Sequence, residues 1–303
     1  MIAVIVATLR RPELIGPILD RLGRQTRKPD WVLLCGHEPS DVPDEVEARL
    51  QPLPYRCQAL FGELGLTKQR NNGLAWLRDN TDMFARRGMV VFFDDDFVMR
   101  EDWLEAAQAE FDSDSGLAGL DGVVLADGVH KGGHSLAAAE AIIAAGRPVL
   151  KARDTRSRPG PMVSLYGCNM IARSDILRDL TFDEGLPYYA WMEDYDFSIR
   201  VGRHGSLKRS SKLVGVHLGS TKTRSSGLRT GYSQIANPYY LVRKGTMPPR
   251  VGCRYIFTSL VVNALKSPFP AKFVDWRGRL AGNMRAVADL LRGRLSPHNI
   301  GSM

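Results

Sequence analysis

Residues 89–93 read MVVFF, an unbroken apolar run, and Asp94, Asp95 and Asp96 follow at once. A run this short and this apolar suits a strand covered on both faces, the kind found in parallel sheets. Ligands of open α/β sheets bind outside the carboxyl ends of the strands, so the three aspartates stand where a site belongs. Adjacent carboxylates repel one another in a folded protein. A divalent cation relieves that repulsion, and hard oxygen ligands suit Mg²⁺ or Mn²⁺. The plainer alternative is a polar turn that caps the next helix.

The rest of the N-terminal half alternates strand and helix patterns. Ile2 to Ala7 is a second continuous apolar run, rich in β-branched residues. Pro12 to Leu22 reads as a helix, with Pro12 in its first turn and Leu14, Ile15, Ile18, Leu19 and Leu22 on one face. Trp31 to Leu34 reads as a strand, Pro43 to Leu50 as a short acidic helix, Leu66 to Leu77 and Glu101 to Phe111 as further helices. This alternation predicts βαβ units and an α/β fold with a mostly parallel sheet flanked by helices. Gly122 to Gly133 and Arg153 to Gly167 read as loops, and Tyr188 to Val201 as helix. Lys208 to Gly231 reads as a basic loop around one strand, Leu213 to Leu218. From about Val251 the pattern turns to amphipathic helices. The expected division is a domain over 1–250 and a basic helical extension over 251–303, which 303 residues can support.

Charge and cysteine usage narrow the partners. The formal net charge is +8, yet residues 197–274 contain no acid and 14 Lys and Arg, so the remainder is acidic. An anionic partner on one side is implied, and nucleic acid, anionic lipid or a diphosphate would each qualify. No recognised nucleic-acid motif accompanies the charge, and the carboxylate clusters would repel a phosphate backbone, which argues against nucleic acid. Cys35, Cys57, Cys168 and Cys253 form no CxxC pair or disulfide framework and read as reduced thiols of a cytoplasmic protein. No stretch reaches the roughly 18 to 20 apolar residues that span a bilayer, and the opening residues read as a strand, not a signal peptide. Arg250, Arg254, Lys266, Lys272, Arg277 and Arg279 flank apolar residues that include Phe257, Phe269, Phe273 and Trp276. Such a segment either rests peripherally on the inner face of an anionic membrane or packs as an appendage or dimer contact.

Three further features carry chemistry. Glu193, Asp194 and Asp196 lie in WMEDYDFSIR. A carboxylate there, beside Trp191, can serve as general base toward an acceptor hydroxyl, or the acids simply favour a helix N-terminus. In GLTKQRNNGL, Lys68 and Arg70 can reach a phosphate or a nucleotide base, or can form an exposed helix face. His217 follows a strand and precedes a basic loop, as a metal ligand or a structural histidine.

Taken in order, VIVATLRRPE, GLTKQRNNGL, VVFFDDDF, YGCNMIARSD, WMEDYDFSIR, VHLGS and NPYYLVRK resemble the inverting glycosyltransferases of the GT-A fold, specifically glycosyltransferase family two, over roughly residues 1 to 245. The resemblance implies a GT-A, Rossmann-like sheet and a nucleotide-diphosphate sugar as donor. It implies nucleotide contacts for Thr8, Arg10, Lys68, Arg70 and Asp94, and a cation held by Asp96 with Asp94 and His217. Asp194 is the implied base, with Glu193, Trp191 and Asn169 on the acceptor side. One departure stands out. Relatives place an Asp after the second strand to read the base, whereas Cys35 and Gly36 occupy that place here, with Glu38 or Asp41 as substitutes.

The expected reaction moves a sugar, with inversion, onto an acceptor hydroxyl of a saccharide or lipid-linked glycan in cell-surface polysaccharide assembly. Lys222 and Arg224 would close over the phosphates. Three rivals remain to be weighed. A sugar nucleotidyltransferase needs a Gly-rich loop after the first strand, and TLRRPE carries no glycine before Gly16. A non-catalytic saccharide- or nucleotide-binding module would not need both carboxylate clusters. A nucleic-acid-binding protein lacks a motif.

Overall fold

A computed structural model describes residues 1–43, 53–129, 131–146, 164–220 and 225–303. The expected helix at 43–50 beyond Pro43, most of the loop at 153–167, and Lys222 and Arg224 lie outside the described residues. The chain divides into two compact units, 1–64 with 68–182 and 197–223, and 65–67 with 183–196 and 224–303.

The first unit is built on an eight-stranded sheet. Its strands are β1 (Ile2–Ala7), β2 (Trp31–Gly36), β3 (Arg56–Phe61), β4 (Met89–Asp94), β5 (Phe97–Met99), β6 (Leu117–Asp127), β7 (Asn169–Arg173) and β8 (Ser206–His217), in the order β3-β2-β1-β4-β7-β6-β8-β5. Its helices are α1 (Ile15–Arg24), α2 (Leu66–Asn80), α3 (Trp103–Ser113) and α4 (Leu136–Ala144), and α5 (Glu193–Val201) ends in this unit. The first four strands of the order are parallel; β7 is antiparallel to both of its neighbours, β6 and β8 are parallel, and β5 closes the edge antiparallel to β8.

The apolar runs are explained by two cores, one on each face. Ile2, Val4 and Val6 point into one with Val32, Leu34, Val91 and Phe93, where α1 covers them through Ile15, Ile18, Leu19 and Leu22. Ala3 and Ile5 point into the other with Leu33, Cys35, Val90 and Phe92, beneath Leu74 and Leu77 of α2. Alternate residues of one strand thus enter opposite cores, which leaves no polar position in the run. Each fully buried aliphatic or aromatic side chain contributes about 1.5 to 3 kcal/mol.

Three stretches differ from the sequence expectation. In the stretch read as a basic loop, residues 208–212 belong to β8 and residues 227–231 to a helix. Gly122 lies inside β6, not in a loop. The β6–β8 register shifts between Gly122 and Val123, and a Cβ on Gly122 would collide with the Leu213 carbonyl. The glycine therefore marks a bulge in a long strand. Residues 188–192 are not helical. Tyr188, Ala190 and Met192 have φ of 58°, 52° and 75°, and the helix begins only at Glu193.

The second unit is helical, with α6 (Gly227–Lys244), α7 (Pro249–Lys266) and α8 (Trp276–Leu291) around Tyr232, Ile235, Ala236, Ala286 and Ile300. Gly245 in left-handed conformation (φ 82°) ends α6. The α6–α8 crossing is close because Gly231 faces the Arg279 carbonyl and Gly282 faces the Leu228 carbonyl, leaving no room for a Cβ. Asn263 donates to Gln234 and Asn283, each at 2.7 Å, and Asn283 donates to the Gly231 carbonyl at 2.6 Å, tying the three helices together. No helix among the described residues is long and apolar enough to cross a membrane.

Candidate metal and donor site

The sheet register brings strand ends together. Ala7 of β1 pairs with Cys35 on one side and Asp94 on the other, so Thr8, Gly36 and Asp95 lie together at the carboxyl edge of the sheet. This edge lies where β1 has neighbours on both sides, the topological position at which open α/β sheets bind ligands. On the far side, β8 places His217 opposite Phe97 of β5 and opposite Asp127 of β6.

The three aspartates divide their tasks. Asp95 is buried and held by Arg11, whose Nε donates to Oδ2 at 3.1 Å and whose Nη2 lies 2.6 Å from Oδ1, and by the Thr8 hydroxyl at 2.7 Å. Burial pushes its carboxyl up to about 8, against the opposing pull of Arg11. Asp94 is partly exposed and is oriented by the buried Arg70, which donates to its Oδ1 at 3.0 Å and to the Gly167 carbonyl at 2.9 Å while lying over the Phe182 ring at 5.2 Å. Asp96 is buried, accepts from Arg11 Nη1 at 3.2 Å and from the Ser220 amide at 2.8 Å, and faces His217 Nε2 at 3.2 Å.

Ligand atoms of Asp94, Asp96 and His217 all lie within 4.8 Å of one another. Two carboxylates and an imidazole form a donor set that suits Mg²⁺ or Mn²⁺, so these residues fit a divalent cation. Their second partners are in place. His217 Nδ1 lies 3.2 Å from Asp127 Oδ1, and Tyr166 donates to Asp127 Oδ2 at 2.6 Å. Burial opposes charging His217, but the hydrogen bonds to Asp127 and Asp96 outweigh it and raise its pKa to about 10. Burial would likewise raise the Asp96 and Asp127 carboxyls, and contact with His217 reverses the sign, holding both below the usual carboxylate range. A cation ligand must be neutral imidazole, so metal binding here would release a proton. Cys168 is close by, but burial among these acids raises its thiol well above the ordinary value and keeps it protonated.

The other expected residues fall as follows. Thr8 is buried against Asp95. Arg10 is exposed with φ 54°, and its amide donates to Asp41 Oδ1 at 2.5 Å. Asp41 also accepts from the amides of His37 (2.7 Å) and Glu38 (3.0 Å), so its carboxylate ties the loops after β1 and β2 together. Lys68 is near the surface and pairs with Glu63. Asn169 is buried and donates to the Gly122 carbonyl at 3.3 Å. Arg11, Asp127 and Tyr166 were not singled out by the sequence. The doubled Arg of TLRRPE was a signal for the first; nothing local marks the other two, which come from a strand read as a loop and from residues that precede β7.

In the second unit, Glu193 and Asp194 open α5. Glu193 is buried, and Asp194 Oδ1 accepts its neighbour's amide at 2.7 Å. Asp196, fully buried, is bound through both oxygens by Lys244 Nζ at 2.8 and 2.9 Å, and the same ammonium reaches Asp183 at 2.6 Å. Asn237 donates to the Trp191 carbonyl at 2.7 Å.

A mixed sheet with this order, carrying an Asp-x-Asp turn after β4, defines a GT-A glycosyltransferase fold. Among solved structures, residues 1–349 of S. aureus TarS are 16% identical with a TM-score of 0.52, over 96% of this chain and 91% of that one. The mannosyltransferase PcManGT from Pyrobaculum calidifontis, in complex with GDP-Man and Mn²⁺, is 14% identical with a TM-score of 0.54, over 96% of this chain and 86% of that one. The sequence model described as Glycosyl transferase family 2 matches residues 3–181, and the chain belongs to that family. Comparison with curated protein sequences finds no match.

Proposed function

We propose that this chain transfers a sugar, with inversion, from a nucleotide-diphosphate donor to an acceptor hydroxyl, in the presence of Mg²⁺ or Mn²⁺ held by Asp94, Asp96 and His217. The observation that carries the reading is the convergence of those three side chains at the carboxyl edge of the sheet. Complexes of the fold relatives, PcManGT with GDP-Man and Mn²⁺ and TarS with UDP-GlcNAc, support the donor class.

Bound there, a divalent cation supplies counter-charge for the departing diphosphate. The protein's part is to hold the ligands rigid. Arg11 and Thr8 take up Asp95, so that Asp94 and Asp96 would be left to hold a cation. Arg70 fixes Asp94 through a buried guanidinium, and Asp127 fixes the His217 ring, the kind of support that sets metal affinity. Arg10 and Lys68, both near the surface, are assigned to the nucleotide. Asp194 takes the proton from the attacking hydroxyl, and Glu193, Trp191 and Asn169 orient the acceptor, a saccharide or lipid-linked glycan of polysaccharide assembly in the cytoplasm.

The test is donor hydrolysis and transfer across UDP-, GDP- and dTDP-sugars with Mn²⁺ or Mg²⁺. Cation-dependent turnover of one donor, lost in Asp96→Ala, is expected. Binding without turnover of any donor would favour a non-catalytic module.

A further inference from the structure

Helix α7 is apolar on two opposite faces, and among the described residues only one of them is packed against a core cluster. Ile256 and Leu260 turn inward onto the cluster around Tyr232, with Gly252 and Asn263 buried beside them. Phe257, Val261 and Leu265 follow one another at every fourth position, so they form one stripe along the outer side. Phe257 is 67% exposed and Leu265 68%. The stripe continues beyond the helix in Phe269, 69% exposed, and Phe273. Next to it opens a shallow groove of about 450 Å³ between the end of α7 and α8, lined by Ser267, Pro268, Arg277, Leu280, Ala281 and Met284.

The charges of residues 250–277 are basic apart from Asp275. Arg250, Arg254, Lys266, Lys272 and Arg277 are exposed. The first acid after Asp196 is Asp275, and its carboxylate accepts the Gly278 amide at 2.8 Å as the cap of α8. Lys266 Nζ lies 4.6 Å from the Trp276 ring centroid and Lys272 Nζ 5.3 Å from that of Phe273, so cationic and aromatic groups adjoin one another on this surface.

From these observations we infer that the outer face of α7 and the loop to α8 form a docking surface for an anionic lipid bilayer. Protruding Phe and Leu side chains enter the interface, and the basic rim contacts lipid phosphates. A helix with a large outward apolar stripe and a cationic border has the composition of an interfacial element rather than of a spanning one. Charge complementarity selects the occupant. Each exposed Lys or Arg gains from a negative surface potential that acidic phospholipid provides and zwitterionic phospholipid does not. The inference stands apart from the transfer chemistry, because its readout needs neither donor nor cation.

The full chain is floated with phosphatidylcholine vesicles, with and without phosphatidylglycerol, at low and high salt. Binding is expected only to the vesicles with phosphatidylglycerol, and salt should weaken it. Two paired variants test the two halves of the surface, Phe257→Ser with Leu265→Ser and Lys266→Glu with Lys272→Glu. All four positions are exposed, so the melting temperature should stay near wild type, and each pair should reduce vesicle binding at least about tenfold. Absence of wild-type binding to anionic vesicles would overturn the inference, as would binding that neither pair alters. So would sedimentation showing a self-associated wild type that the Phe257/Leu265 pair makes monomeric while vesicle binding is unchanged, since the stripe would then join two copies of the chain.

Discussion

Arg11 grips Asp95 with two nitrogens, Nε 3.1 Å from Oδ2 and Nη2 2.6 Å from Oδ1, and Asp95 is closed off from solvent. The central acid of DDD is thus a structural partner of Arg11 and Thr8, and its neighbours are left for a ligand. Removing one partner of a buried pair strands the other. Arg11→Met should therefore cost about 3 to 5 kcal/mol of stability, and Asp95→Asn in the same chain should recover most of it. Arg10→Met, at an exposed position, should change little. Denaturant unfolding of the four proteins checks this; equal losses for Arg10 and Arg11 would contradict it.

Cation affinity should follow the same division. Asp96→Asn and His217→Ala should abolish measurable Mn²⁺ binding in calorimetry, whereas Asp95→Asn should have a smaller effect. Asp127→Asn touches no expected ligand position, yet it frees the His217 ring. A loss of about 10- to 100-fold is expected there, the range found for groups that orient metal ligands. Wild-type affinity in Asp127→Asn would remove that orienting role.

Asp194→Asn should keep donor affinity and lose transfer by at least about 100-fold, the scale of general-base catalysis. Donor titration and transfer rate, measured on the same preparation, separate the two effects. Near-normal transfer would assign the base elsewhere.

Lys244 sets an acid limit on stability. Burial would raise the Asp183 carboxyl, but the hydrogen bond from Lys244, with further help from the Gly185 amide, lowers it below its ordinary value. A carboxylate depressed in the folded state contributes stability that is full above its unfolded pKa, near ~3.9, and is lost as pH falls through the folded value. Asp183→Asn should therefore melt below wild type at neutral pH, and the gap should narrow in acid. A gap that is constant from neutral pH into strong acid would show that ionisation of Asp183 is not what stabilises.

The sequence carried the frame of the fold because β1, β2 after Trp31 and β4 before Asp94 are buried throughout, so Ile2–Ala7 and Met89–Phe93 have no polar position to confuse the pattern. It drew attention to Asp94 and Asp96 because adjacent carboxylates at a strand end repel one another unless something compensates. It did not carry Asp127. Gly122 and Gly128 read as loop glycines, while one of them permits a bulge that lets β6 run on to bring Asp127 opposite His217. The sequence named Arg10 for the nucleotide and passed over Arg11 as the partner of Asp95. Beside that pairing stand the left-handed backbone at Arg10 and Asp41, more than thirty residues away, accepting from the Arg10 amide.

The alternating left-handed turns at Tyr188, Ala190 and Met192 bear on the two acids that follow them. A residue with a Cβ loses on the order of 1 to 2 kcal/mol in that conformation, so this path does not persist by local preference. It is held from outside, by the Leu66 amide donating to the Tyr188 carbonyl at 2.8 Å and by Asn237 on Trp191. The direction in which Glu193 and Asp194 leave the chain is accordingly decided by the first residue of α2 and the middle of α6. Damage at either remote point would re-aim the carboxylates without touching them.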